Sequence, residues 1–273
     1  MAMFSWLTEA RSLLSPSAMP CLTCGKLGSG SSQFPGICRV CTEAIPWIRF
    51  PRCLKCGRHV GCPDCTRSGE PSPIVCNRSA VAYTSVMREW LGQYKYRGNE
   101  RYAPLLGLML DSAYLTLKKE NQNALALLSR KPSIISRSWS ADLLVPVPVS
   151  DSRLMERGFN QAERLADVLS RRRKVPQLPL LIRTHHTGKQ SFKSRAERLT
   201  DMKHAFSANP AITVQFTDWL KRKRPQDRPV QVIVVDDIYT TGSTIRACAE
   251  IIKQMGLDYG YMIEVYSLTW ARS

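Results

Sequence analysis

The chain has 273 residues, 44% of them hydrophobic, and a formal net charge of +17 from 39 Lys and Arg against 22 Asp and Glu. That length and apolar content carry one good core plus a smaller satellite, or two modest domains. No apolar run approaches the roughly 20 residues of a membrane span, and the charge excess favours polyanionic partners: phosphates, nucleic acid or an acidic membrane surface.

The first stretch, MAMFSWLTEARSLLSP, has no basic residue ahead of its apolar positions and no long apolar run. It reads as a short docking helix with Phe4, Leu7 and Leu14 on one face, not as a signal peptide, and a cytoplasmic protein is expected. Beyond it the chain is rich in cysteine. Eight of the ten cysteines form four C-x2-C pairs: Cys21/Cys24, Cys38/Cys41, Cys53/Cys56 and Cys62/Cys65. A disulfide framework fits a small secreted chain better than this one. Two thiolates three apart on a tight turn aim at one tetrahedral centre, and two such turns complete a four-thiolate site, so one or two structural zinc ions are expected. Adjacent pairing (Cys21, Cys24, Cys38 and Cys41; then Cys53, Cys56, Cys62 and Cys65) and interleaved pairing are both compatible with the spacing. Such a site folds the local chain but leaves no open coordination position for catalysis. His59 lies between two pairs and competes as a ligand or sits on the surface. Cys76 and Cys248 read as small hydrophobes. Residues 1–75 are expected to be an N-terminal helix with a double cysteine module, with GEPSPIV as the exit linker, and residues 76–273 a second domain.

Beyond the linker the pattern changes to alternating strands and helices. SAVAYT reads as a strand. The segment from Ser85 to Glu120 carries helical periodicity broken near Gly98 and Asn99, and NQNALALLSRKPSIISRSWS is helix end or loop. ADLLVPVPV is a strand followed by a loop carrying Arg153, Arg157, Gly158 and Asn160. FNQAERLADVLSRRR is an amphipathic helix. PLLIRTHHT and KHAFSA are strands around a polar loop; His185 and His186, adjacent on a strand, point to opposite sides and form no joint metal site. QVIVVDD is an apolar run of the kind buried on both faces, STIRACAEIIKQMG a helix, and YGYMIEVYSLTWA a last strand. The alternation predicts an α/β fold with a mostly parallel sheet.

The stretch VIVVDDIYTTGST, residues 232–244, concentrates the chemistry. In an open α/β sheet, ligands bind beyond the carboxyl ends of the strands. Asp236 and Asp237 stand at such an end, ahead of a loop with Thr240, Thr241, Gly242, Ser243 and Thr244 that opens a helix. Backbone N–H groups, hydroxyls and the helix dipole make a phosphate cradle. No lysine lies in the loop, so it is not a nucleoside-triphosphate P-loop. Carboxylates beside a phosphate repel it unless they accept hydrogen bonds from sugar hydroxyls, and a ribose 5-phosphate meets both demands.

The same stretch resembles the phosphoribosyl-pyrophosphate (PRPP) signature of type I phosphoribosyltransferases. LLVPVPVSDSRLMERGFNQAERLA, YKYRGNERYAPLLG and GKQSFKSRAERLTDMKHAF resemble segments of the ComF family, whose usual N-terminal partner is a double zinc ribbon like the four-pair module here. The resemblance spans nearly the whole chain. It implies a type I phosphoribosyltransferase-like parallel sheet behind a zinc-ribbon module, with PRPP and Mg2+ as ligands. Asp236 and Asp237 would orient the ribose and stabilise positive charge on the ring, one of them serving as base. Thr240, Thr241, Gly242, Ser243 and Thr244 would hold the phosphate. Arg157, Gly158 and Asn160 would meet the pyrophosphate, and residues 187–198, with Gln190, Arg195 and Arg198, would be a closing loop. Lys95 and Arg97 could also reach the anion.

Two functions compete. One is transfer of phosphoribosyl (a pentosyl transfer) to an acceptor, which the ComF resemblance links to competence and use of internalised DNA. The other is a non-catalytic protein that binds single-stranded DNA, among other competence proteins, and uses the PRPP site as a ligand or 5-phosphate pocket. The runs Arg171–Lys174 and Lys221–Arg224 either bind nucleic-acid phosphates or are solvated helix ends. Trp90, Tyr94 and Tyr96 either stack on bases or join the core. A PRPP-sensing regulator is a third reading, unsupported by any helix-turn-helix pattern.

Overall fold

A computed structural model describes residues 19–63, 65, 71–96, 99–128, 138–184, 205–223 and 228–273. It forms two compact units, Met1–Pro46 and Trp47–Ser273.

In the first unit β1 (Met19–Pro20) pairs antiparallel with β2 (Leu27–Gly28) around the first cysteine turn, and α1 (Arg39–Glu43) follows the second. Phe34 and Ile37 are almost wholly buried and form its small apolar centre.

The second unit carries the main core. Its strands are β3 (Asn77–Ala82), β4 (Leu143–Pro146), β5 (Leu181–Arg183), β6 (Phe206–Ala208), β7 (Val230–Tyr239) and β8 (Ile263–Arg272). Its helices are α2 (Ser85–Tyr96), α3 (Tyr102–Leu128), α4 (Asp151–Arg157), α5 (Gln161–Arg173), α6 (Thr213–Lys223) and α7 (Ser243–Asp258). Strands β3, β8, β7 and β4 lie in that order in a fully parallel four-stranded sheet, and β5 pairs with β6 antiparallel. This is the α/β fold with a parallel sheet that the alternation predicts. Central strands buried on both faces need apolar residues at successive positions, and Val230, Val232, Ile233, Val234 and Val235 of β7 are all buried. Val230, Val232 and Val234 join a core cluster with Ile245, Ala249 and Ile252 of α7. Across the pleat, α3 and α5 pack together and on the sheet, where Trp270 of β8 donates its indole N–H to Met109 of α3.

Two elements differ from expectation. The segment with Arg153 and Arg157, read as a loop, is the helix α4. Extended Ser150 precedes it, Asp151 sits in its first turn and Arg157 in its last, as the helix dipole favours, and left-handed Gly158 ends it. Helix α6, to which no element was assigned, forms because Phe216 and Leu220 share one buried face. The long helix α3 runs on through Leu128, deciding the ambiguous NQNALALL segment for helix.

Candidate functional site

The two cysteine turns are built alike. Cys21 N–H bonds to the Lys26 carbonyl at 3.0 Å and Gly25 N–H to the Cys21 carbonyl at 2.8 Å; Cys53 N–H bonds to Arg58 at 3.0 Å and Gly57 N–H to Cys53 at 2.9 Å. Cys21, Cys24, Cys38 and Cys41 come together, as do Cys53, Cys56, Cys62 and Cys65, each set with its sulfurs within 4.8 Å of one another. All are free thiols. Burial and the sulfurs of Cys38, Cys24 and Cys21 push the Cys41 thiol up to about 12. Burial likewise raises Cys21, but hydrogen bonds from Thr23 and from backbone N–H groups outweigh it and bring the thiol down to about 6. Sulfurs crowded in this way suit a divalent cation, which takes them as thiolates, and each cluster could hold a zinc ion. His59 is exposed and belongs to neither cluster; Cys76 and Cys248 are buried, away from both.

The second cluster is bonded to the sheet. Asn77 N–H donates to the Lys55 carbonyl at 2.8 Å, Asn77 Nδ2 to the Cys56 carbonyl at 3.1 Å, and Arg78 to the Leu54 carbonyl at 2.9 Å. Gly57 has φ +72, and a Cβ there would stand 2.6 Å from the Asn77 carbonyl, so only glycine fits.

The acidic pair lies near the carboxyl end of β7, where Asp236 is opposite Thr269 of β8. Asp237 N–H donates to Asp236 Oδ1 at 2.8 Å. Burial first, then the Asp237 charge, pushes the Asp236 carboxyl up to about 7, against the pull of Lys95, the Asp237 N–H and Arg183. Lys95 Nζ, from the last turn of α2, is 2.6 Å from Asp237 Oδ2, with both side chains largely buried. The strand then runs into Gly242, which is left-handed (φ +80) and opens the 16-residue helix α7. A Cβ at Gly242 would meet the Tyr239 hydroxyl oxygen at 2.1 Å. Thr240 and Thr241 are exposed, and the Thr241 and Ser243 hydroxyls share a hydrogen bond of 3.1 Å. The expected strand end, small-residue loop and helix start are thus contiguous.

The last turn of α2 organises the neighbourhood. Tyr94, wholly buried, donates its hydroxyl to the Gln161 carbonyl at 3.0 Å and packs on Phe159 at 5.2 Å. Lys95 pairs with Asp237, and Tyr96 lies under the Arg157 guanidinium at 5.4 Å. Trp90 and Tyr94 are core, while Tyr96 is 68% exposed. Arg157 is itself buried, donates to Gln161 Oε1 at 2.8 Å and leaves its Nε without a hydrogen-bond partner. Gly158 N–H is bonded to the Leu154 carbonyl. The Asn160 side chain accepts from Ala162 and Glu163 N–H at the start of α5 and donates to the Val147 carbonyl at 3.1 Å. Gln190, Arg195, Arg198, His185, His186 and Arg97 lie outside the described residues, as do Phe4, Leu7, Leu14 and Arg224. The basic runs end helices and are partly paired: Arg172 and Arg173 bind Asp111, and Lys223 binds Asp142.

Two arginines escaped sequence reasoning. Arg183, at the end of β5, is lowered by burial and by Arg153 and feels the Asp236 charge. Arg272, the last residue of β8, is buried and donates to the Tyr239 and Thr240 carbonyls at 3.1 and 3.0 Å. A lone cation closing an apolar strand was the available signal, because a buried charge requires built partners.

No family model matches the chain. Curated relatives do. The chain is 29% identical over 245 residues to Competence protein ComFC of Bacillus subtilis, covering 87% of this chain and 84% of that protein. It is 27% identical over 244 residues to Competence protein F of Haemophilus influenzae, covering 86% and 91%. It is 26% identical over 235 residues to DNA utilization protein YhgH of Escherichia coli K12, covering 81% and 92%. Relatives aligned along most of their own length, a parallel α/β sheet and two four-cysteine clusters agree with one another: the chain is similar to the ComF-type competence and DNA-utilisation proteins.

Proposed function

We propose that this chain acts in competence or DNA utilisation, as the names of its relatives suggest, by binding PRPP at the carboxyl end of β7 and transferring its phosphoribosyl group to an acceptor. One observation carries the reading: two adjacent carboxylates run directly into a glycine-led helix start lined with hydroxyls. The first-turn N–H groups of α7 and the hydroxyls of Thr240, Thr241, Ser243 and Thr244 bind the 5-phosphate. Asp236 and Asp237 accept hydrogen bonds from the ribose hydroxyls and stabilise positive charge developing on the ring. Lys95, paired with Asp237 in the free chain, lies within reach of the incoming anion. Arg157 supplies a pre-oriented guanidinium for the pyrophosphate, with Gly158 and Asn160 shaping the turn that presents it. Magnesium, bound chiefly through ligand and water oxygens, would offset leaving-group charge.

A second reading has its own support. Phe50 is 88% exposed and stands among Arg49, Arg52 and Lys55, all exposed. A bare aromatic ring among cations suits a stacked base of single-stranded DNA, with the cysteine-rich region up to residue 75 as the DNA-contacting module.

Calorimetric titration with PRPP and magnesium tests the first reading. Binding heat is expected for the wild type and absent for Asp237→Asn. A folded, zinc-loaded wild type that gives no heat overturns it and leaves DNA binding as the leading function.

A further inference from the structure

Arg272 joins two features that the sequence keeps 180 residues and more apart. Its Nε donates to the Cys56 carbonyl at 3.2 Å and one terminal nitrogen to Cys56 Sγ at 3.4 Å. The other terminal nitrogen donates to the carbonyls of Tyr239 and Thr240 and to that of Ser273. The guanidinium lies 4.8 Å over the Tyr239 ring, and the far end of that ring closes against Gly242, where no Cβ would fit. Contact is therefore continuous: Cys56, Arg272, Tyr239, Gly242, then the first turn of α7. A buried guanidinium is stable only with its donors satisfied and its charge balanced. Its hydrogen-bond partners here are carbonyls and one sulfur. Cys56 brings charge to it once that sulfur is a metal-bound thiolate.

We propose that Arg272 is a positioning residue that makes the Cys53, Cys56, Cys62 and Cys65 cluster the anchor of the Thr240–Thr244 loop. Metal in that cluster fixes the Cys56 sulfur and carbonyl. Arg272 then holds the Tyr239 and Thr240 carbonyls and the Tyr239 ring, and Gly242 is locked in its left-handed conformation. The guanidinium in turn offsets part of the charge that four thiolates leave on a divalent ion, as outer-shell donors do. The cluster so becomes part of the device that keeps the loop in shape for an anion. The ligand-binding consequence rests on the PRPP reading; the link between metal and loop does not.

The test uses the full-length, zinc-loaded chain with Arg272→Met and Arg272→Lys. Three quantities are read: zinc retained under a graded chelator challenge, hydrogen exchange of the backbone over residues 239–244, and PRPP affinity with magnesium. Outer-shell partners of a metal site are worth roughly 10–100-fold in affinity. Arg272→Met should therefore release zinc from one cluster at roughly tenfold lower chelator and speed exchange over 239–244. Exchange around Cys21–Cys41 should stay unchanged. Arg272→Lys, which keeps the charge but not the fork, should fall between. If Arg272→Met fails to fold, Cys65→Ser provides the second route, loosening residues 239–244 where Cys24→Ser does not. Wild-type zinc retention and loop protection in Arg272→Met, or an unmoved loop in Cys65→Ser, overturns the proposal. A wild type that binds no PRPP sinks only the ligand reading, since zinc retention and exchange still decide the link.

Discussion

Asp236 holds its proton to about pH 7 because burial and the neighbouring Asp237 charge outweigh the attraction of Lys95 and Arg183. The consequence for stability has a definite sign. An unfolded aspartate releases its proton near pH 4, so between about pH 4 and 7 the folded chain keeps a proton that the unfolded chain has lost. This group's contribution is complete below that window, declines across it and is gone above pH 7. Asparagine cannot ionise, and its Oδ1 still accepts the Asp237 N–H. Asp236→Asn should match the wild type only below about pH 4, exceed it by a fraction of the full effect at pH 5, and exceed it most at pH 8. Its advantage is at most ~4 kcal/mol, three pK units at about 1.4 each, and less in practice because Asp236 as a residue is only partly buried. Urea melts at pH 5 and pH 8 measure this. An equal advantage at pH 5 and pH 8 would assign the effect to packing rather than to charge.

The joint between α4 and α5 shows how elements deliver the site. Asn160 caps α5 through Ala162 and Glu163 N–H and ties that helix start to the end of β4 through the Val147 carbonyl. Removing the cap by Asn160→Ala should cost about 1–2 kcal/mol. Asn160→Asp keeps the acceptor but leaves Val147 without its donor, so its loss should be smaller. Chemical denaturation of the pair separates the two roles, and equal losses would place the stability in the Val147 tie. This joint also marks where the sequence was legible. Strand β7 could be read because an unbroken apolar run into two acids suits a buried strand that ends at a polar edge, and little else. Helix α4 could not, because seven residues with Leu154 and Met155 left exposed show no apolar stripe, and only dipole-favouring ends and a left-handed glycine define it. The arginine expected in a loop consequently lies buried at a helix end, Arg157. The loop's hydroxyls were visible as a motif, whereas the ion pair from Lys95 and the bonds from Arg272 depend on tertiary proximity that no local spacing encodes.

At the scale of the whole molecule, the +17 charge promises affinity for polyanions without saying which surface supplies it. Helix-end arginines and lysines contribute less than their number suggests, since Arg172, Arg173 and Lys223 already bind buried carboxylates. The segment around Phe50 differs: its ring and flanking Arg49, Arg52 and Lys55 are exposed. Single-stranded DNA binding there should weaken with salt by a log–log slope near −2, from about three neutralised phosphates at roughly 0.7 each. Loss of one stacking ring is worth about 1–3 kcal/mol, so Phe50→Ala should weaken an oligonucleotide roughly tenfold at fixed salt while leaving PRPP binding intact. Asp237→Asn should do the reverse. Effects at independent sites add, so the double variant should show both losses and no coupling between them. Fluorescence anisotropy with 5-phosphorylated and 5-hydroxyl oligonucleotides completes the test. If PRPP displaces only the phosphorylated strand, the Thr240–Thr244 loop is a DNA-end pocket and transfer chemistry loses its support. If it displaces neither, the strand and the sugar phosphate occupy separate surfaces of one protein, and the acceptor can be sought among the components of DNA itself.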